Sequence, residues 1–144
     1  MAQRIWKRLK GQEGFTLIEL LVVVAILGIL AVAVTPKVLS SIRNANTQAA
    51  MTSASTLSLA LERYATDNGD YPPQASAGTY AGLQTVLTPY VSLPTSQSAA
   101  NWKYGSYTYT AGSGSNPSSY TLVITDTNQT PVSITITPGQ ISHS

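Results

Sequence analysis

Residues 15–34, FTLIELLVVVAILGILAVAV, restrict the possible folds more than any other part of the chain. They are twenty residues with one ionisable side chain, Glu19, and one hydroxyl, Thr16. At about 1.5 Å rise per residue, a helix of this length covers about 30 Å, the hydrocarbon thickness of a bilayer. The predicted element is therefore a membrane-spanning helix. Arg4, Lys7, Arg8 and Lys10 outweigh Glu13 in the first fourteen residues, while acids outnumber bases in the remainder. This asymmetry places the N-terminus in the cytoplasm and the bulk of the chain outside. The overall charge of +2 and the pI near 9.0 come from that short leader. They do not describe a basic surface, so nucleic-acid binding gains no support.

Two simpler explanations of the block leave something over. A cleaved secretory signal peptide fits the basic start and the Ala31-Val32-Ala33 tripeptide. Its apolar region, however, is usually about 7–15 residues, and this run is longer and carries an acid near its entrance. A plain membrane anchor leaves Glu19 unexplained, because an acid inside a span costs several kcal/mol unless paired and so implies a function.

The deciding residues are Gly14-Phe15-Thr16-Leu17-Ile18-Glu19, followed at once by Leu20, Leu21 and Val22 to Val24. This run resembles the processing site of type IV prepilins and type II secretion pseudopilins. The resemblance covers about the first third of the chain. It implies that a prepilin peptidase cuts between Gly14 and Phe15 on the cytoplasmic side and methylates the new amine of Phe15. A glycine before the cut lets the backbone lie extended in a tight cleft. By the same resemblance Glu19 pairs with the N-terminal amine of a neighbouring subunit, which offsets the cost of a carboxylate in lipid and fixes axial register. Gly28 and Pro36 bracket a stretch of weak helix that extends on assembly.

Beyond Pro36, Val38, Ile42, Ala45, Ala49, Leu57, Leu61 and Tyr64 recur at helical spacing, with one eight-residue gap, and predict a continuing amphipathic helix. Asp67-Asn68-Gly69-Asp70 and Tyr71-Pro72-Pro73 end it near Thr66. The segment Asp-Asn-Gly-Asp-Tyr-Pro also looks like the one that follows the long helix in many major pseudopilins. Asp67, Asn68 and Asp70 are a candidate calcium set, although three oxygen side chains in a turn more often serve as caps. A short helix is predicted at residues 80–88, with Leu83, Val86, Leu87 and Tyr90 inward and Pro89 and Pro94 as stops. Ser106 to Ala111, Tyr120 to Thr125 and Val132 to Thr137 carry strand chemistry. The expected fold class is thus α+β, a pilin fold with one long helix on an antiparallel sheet of about three strands. The expected divisions are a removed leader (1–14), an assembly helix (15–36), the helix of the head (37–66), a connection (67–105) and the sheet (106–144).

Little else in the sequence suggests chemistry. There is no cysteine, which excludes disulfides, thiolate metal sites and cysteine nucleophiles. His143 stands alone, one residue from the end, and reads as a frayed surface residue. Asn128-Gln129-Thr130 matches a glycan acceptor, and Asn116-Pro117 is excluded by its proline. The eight tyrosines suit the core of a thin sheet. No enzyme activity and no cofactor are expected. The resemblance implies a helical homopolymer of this chain, with prepilin peptidase, an inner-membrane assembly platform and ATPase motors as partners. It also implies residence in the inner membrane before assembly and a filament outside it afterwards.

The leading expectation is a type IV pilus subunit serving attachment, twitching or DNA uptake. The alternative is the major pseudopilin of a type II secretion system. The missing cysteines and the turn segment favour the alternative. Against it, the tail lacks the acidic, glycine-rich loop typical of that subunit's calcium site, since only Asp126 follows Asp70. A membrane-anchored or secreted binding domain that never polymerises is the third possibility, and it predicts a cut after Ala33 or no cut.

Overall fold

The computed structural model describes residues 15–113 and 117–144. Its first element, α1 (Leu17–Asn68), is a continuous helix of 52 residues with Pro36 inside it. After it come α2 (Gln74–Ala77), α3 (Tyr80–Leu87) and a 3₁₀ turn at Gln97–Ala99. Four strands complete the chain: β1 (Trp102–Thr110), β2 (Ser119–Asp126), β3 (Ser133–Thr137) and β4 (Gln140–His143). They form one antiparallel sheet in the order β1-β2-β3-β4. The chain divides into two compact units, one ending at Ser40 and one running Ser41–Ser144.

In the first unit the side chains of α1 find no cover. Phe15 is 80% exposed, and Leu17, Ile18, Leu27, Ile29 and Val32 are all exposed. The helix is long and apolar enough to cross a membrane, and none of its most apolar window is buried. Burying a Leu, Val or Ile side chain is worth about 1.5–3 kcal/mol, so a surface of this kind is stable only in lipid or against other helices.

The second unit is built around a core. Ala50, Ala54, Leu57, Ala60 and Leu61 of α1 are buried together with Ala77, Leu83, Leu87, Trp102, Tyr107, Tyr120, Leu122, Ile124, Ile134 and Ile136. The apolar stripe expected from the sequence begins too early. Val38 and Ile42 are about half exposed (48% and 51%), Ala45 is exposed, and the buried stripe runs through Ala50, Ala54, Leu57 and Leu61. Alanine carries little hydrophobic signal, yet its small side chain lets a sheet lie close to a helix, which is why three alanines mark the real contact face. The helix end also falls slightly later than expected, at Asn68. There Gly69 adopts φ +81° and its N–H donates 2.8 Å to Ala65 O, a glycine-dependent stop.

α3 occupies the span foreseen for it to within one residue. Thr79 caps it, accepting 3.1 Å from Gly82 N, while Leu83 and Leu87 are buried and Val86 and Tyr90 pack against the core. β1 begins at Trp102, four residues before the expected Ser106. Its register slips between Tyr104 and Ser106, so Trp102 and Tyr104 turn inward on one side of the bulge and Tyr107 and Tyr109 on the other. The bulge breaks the simple alternation and so hides the strand's first half. The fourth strand was not foreseen. It returns through a tight turn at Pro138-Gly139, with Gly139 at φ +73°, and contributes only Ile141 as an apolar residue. His143 is therefore not frayed: it pairs with Ile134 at the sheet edge, with its side chain exposed.

Candidate functional site

The N-terminal site is the start of α1. Helices begin with unpaired N–H groups, and here Thr16 and Glu19 satisfy them reciprocally. Thr16 N and Oγ1 donate to Glu19 Oε2 at 3.2 and 3.0 Å, and Glu19 N donates to Thr16 Oγ1 at 3.3 Å. This is a capping box. The sequence contains its Thr-x-x-Glu spacing, but the apolar context drew attention only to the acid. Both side-chain contacts use one carboxylate oxygen. Oε1 accepts from none of the described residues, so the acid can keep its cap and still accept another donor. Gly14 lies outside the described residues, and Phe15 is the first of them.

Gly28 and Pro36 lie within continuous helix. A Cβ on Gly28 would meet nothing within 4 Å, so no neighbour requires glycine there. Pro36 has no N–H to give the carbonyl of Val32, and one residue earlier Thr35 Oγ1 donates 2.7 Å to Ala31 O, a back-bond that favours bending. The helical ladder is thus at its weakest just before Lys37.

Asp67, Asn68 and Asp70 stand at the turn that ends α1, and the last two are bonded to tyrosines. Asp70 accepts from Tyr71 N at 2.7 Å and from the hydroxyl of Tyr109. Bonds from Ser118 first, then Tyr109, hold its carboxyl below the ordinary range. Asn68 Nδ2 donates to Tyr64 O (2.9 Å) and Tyr90 Oη (3.3 Å). Tyr71 Oη donates 2.9 Å to Glu62 Oε2, and buried Tyr107 Oη donates 2.7 Å to Pro72 O. The tyrosines thus fasten the exit turn to helix and sheet. Among the described residues, no group of three or more His, Cys, Asp or Glu could hold a metal ion.

A second carboxylate cluster was not foreseen. Asp126, at the end of β2, is 0% exposed. Its Oδ2 accepts from Thr47 Oγ1 of α1 at 2.5 Å and from Asn128 Nδ2 at 2.6 Å; its Oδ1 accepts from Asn128 N at 3.2 Å and Val132 N at 3.1 Å. Burial pushes this carboxyl up, but the bonds from Thr47, Val132 and Asn128 outweigh it and the net direction is down. Asn128 also donates to Arg43 O at 3.2 Å and accepts from Asn46 Nδ2 at 3.0 Å. The amide that would carry a glycan is thus fully used inside the fold. Only the lone Asp after a strand, followed two residues later by Asn, signals the cluster in the sequence.

A bare apolar helix start with a capped acid, continuing into a helix packed under a four-stranded antiparallel sheet, defines a membrane-anchored α+β subunit of the pilin-like type. Residues 9–35 match the prokaryotic N-terminal methylation motif. The chain is similar to the type II secretion system core protein G of Vibrio cholerae serotype O1, at 40% identity over 101 residues, 70% of this chain and 63% of the relative. It is also similar to the core protein G of Pseudomonas aeruginosa, at 38% over 98 residues, covering 68% and 63% of the two chains. That of Escherichia coli K12 is 37% identical over 76 residues, 53% and 49% of the two. The chain thus spans between 49% and 63% of the length of these three relatives. No solved structure matches it. The chain belongs to the type IV pilin and type II secretion pseudopilin family, a family of structural filament subunits.

Proposed function

We propose that this chain is the major pseudopilin of a type II secretion system, a subunit that polymerises into a short periplasmic filament anchored at the inner membrane. The observation that carries this reading is the name borne by its relatives, type II secretion system core protein G in each case. None of them is named as a pilus subunit, so the expectation that put a type IV pilus first gives way to its alternative.

In this reading the leader through Gly14 is removed by prepilin peptidase, and Phe15 becomes the methylated N-terminus. Glu19 keeps its bond to Thr16 and offers Oε1 to the amine of a neighbouring copy, so that two charges costly in lipid cancel at one axial position. The uncovered face of residues 17–34 packs against its equivalents in other copies. Gly28 to Pro36, where the helical ladder is weakest, extends on assembly and gives axial compliance. The assembly platform and ATPase motors drive insertion. The chain does no chemistry of its own.

Two measurements test the proposal. Mass analysis of the mature protein should find N-methyl-Phe15, and a mature N-terminus at Val34 would overturn the filament reading. Deleting the gene should abolish export of the secretion substrates while leaving no loss of surface fibres. Abundant extracellular fibres containing the chain, lost on deletion with secretion intact, would return the assignment to a type IV pilus.

A further inference from the structure

We propose that the head is closed without a divalent cation, by a latch in which Asp126 ties the β2–β3 turn (127–132) to α1 through protein donors alone. The major pseudopilin resemblance implies a calcium ion in the sheet's loop region, and Asp126 is the one carboxylate beyond Asp70 available to bind it. Its environment does not suit a cation. Calcium takes about 6–8 oxygen ligands and approaches carboxylate oxygens along their lone pairs. Here those lone pairs face hydrogens: two backbone N–H groups on Oδ1, and a hydroxyl and an amide N–H on Oδ2.

The shortest contacts all converge on Asp126. The Thr47 hydroxyl has one proton, with Asp126 Oδ2 at 2.5 Å and Arg43 O at 3.1 Å as competing acceptors. The shorter contact and the negative charge draw it to Asp126. Asn128 Nδ2 has two hydrogens and three acceptors within reach, Asp126 Oδ2 at 2.6 Å, the Arg43 carbonyl at 3.2 Å and Thr47 Oγ1 at 3.3 Å, of which Asp126 is much the nearest. Asn46 Nδ2 completes the set by bonding Asn128 Oδ1 at 3.0 Å. Asp126 N also donates to Val132 O at 3.2 Å, so a single residue fixes both ends of the turn. Asp70, in the exit turn of α1, already accepts from Tyr109 Oη and from Tyr71 N. The charge buried with Asp126 is balanced by these dipoles, each of which would oppose a cation placed among them.

The latch concerns the head alone, so its test is separate from that of the filament reading. Thermal unfolding of the mature full-length protein in detergent, followed by the fluorescence of buried Trp102, which pairs with Asp126 across β1 and β2, is the readout. Melting should be the same in about 5 mM calcium as in excess chelator, a concentration above the roughly 10⁻⁴–10⁻³ M range of extracellular calcium modules. Asn128→Ala and Thr47→Val should each lower the melting temperature by about 4–10 °C, equally with and without calcium. Thr47→Ser, which keeps the hydroxyl, should restore most of the loss. A rise in melting temperature on adding calcium, abolished by Asp126→Asn, would overturn the proposal in favour of a metal site. Variants of Asn128 and Thr47 that melt like the parent would overturn it as a latch.

Discussion

The two stretches of α1 show what one helix becomes when its two ends meet different solvents. From Leu17 to Leu39 the side chains are mostly large and branched, and all are exposed. From Ala50 to Leu61 the buried face is mostly alanine, with Leu57 and Leu61 as anchors. On the rest of that stretch hydroxyls bond back to the helix's own carbonyls, as Thr52, Ser53, Ser55 and Thr56 do. The first stretch has its favourable contacts still to make, in lipid or, in the filament reading proposed above, with other copies; the second has already made them with the sheet. Two acids, one from each unit, divide in the same way. Among the described residues nothing donates to Glu19 Oε1, whereas both oxygens of Asp126 are filled.

That contrast is most easily broken at Glu19. Glu19→Val should leave cleavage after Gly14 intact and the head's melting unchanged, yet abolish filaments or reduce them at least tenfold, scored by immunoblot of processed subunit and of sheared fibres. The loss follows because an unpaired amine in lipid costs several kcal/mol and the valine offers it nothing. Normal filaments from this variant would mean that the open oxygen is not what joins the copies.

A pair of identical substitutions sharpens the comparison. Leu61→Ala removes a fully buried side chain and should destabilise the head by about 2–5 kcal/mol in thermal or denaturant unfolding. Leu27→Ala removes the same atoms from an exposed position and should leave head unfolding within about 0.5 kcal/mol of the parent. Its effect should appear only in assembly. Equal loss of head stability from both would show that the two stretches are not energetically separate.

Acid distinguishes the acids. Hydrogen bonds hold Asp70 and Asp126 below the ordinary carboxylate range. Groups depressed in this way contribute stability that is complete above the unfolded value of about 3.9 and is lost as pH falls through the lower native value. Head melting should therefore be nearly flat from about pH 7 to 5 and fall below about pH 4. Thr47→Val removes one of the bonds depressing Asp126 and should make that acid limb shallower, while Glu19→Val should leave it unchanged. An acid limb untouched by Thr47→Val would place the loss elsewhere.

How much of this was legible in the sequence depends on the range of the interactions. The N-terminal site is local: Gly14 to Glu19 lie within six residues, and their order and spacing carry the signal without any fold. The sheet is half local. Tyr120 to Thr125 and Val132 to Thr137 alternate cleanly and match strands nearly end for end, whereas Trp102 to Gly105 were missed because a bulge inverts the alternation. Asp126 was missed because its partner Thr47 lies 79 residues away and the Thr–Asp pairing follows no periodicity. The stripe through Ala50 and Ala54 was misplaced because closeness of packing, which favours small residues, looks from the sequence like the absence of a hydrophobic anchor.

The smallest effect tests the most local feature. In the capping box Thr16 has two tasks: its Oγ1 accepts from Glu19 N, and its N–H and O–H hold one oxygen of Glu19. Thr16→Val keeps the shape and removes the hydroxyl, so it should cost the start of α1 about 1 kcal/mol, near the middle of the range for N-caps. Amide exchange at residues 17–20 in micelles should quicken by about fivefold, since roughly 1.4 kcal/mol corresponds to tenfold, while exchange in the sheet stays unchanged. Thr16→Ser should restore the parent rate. If Thr16→Val also lowers filament yield and Thr16→Ser restores it, the cap is part of how Glu19 is presented to the next copy. If exchange quickens with no change in yield, the cap only starts the helix, and Glu19 reaches its partner without Thr16.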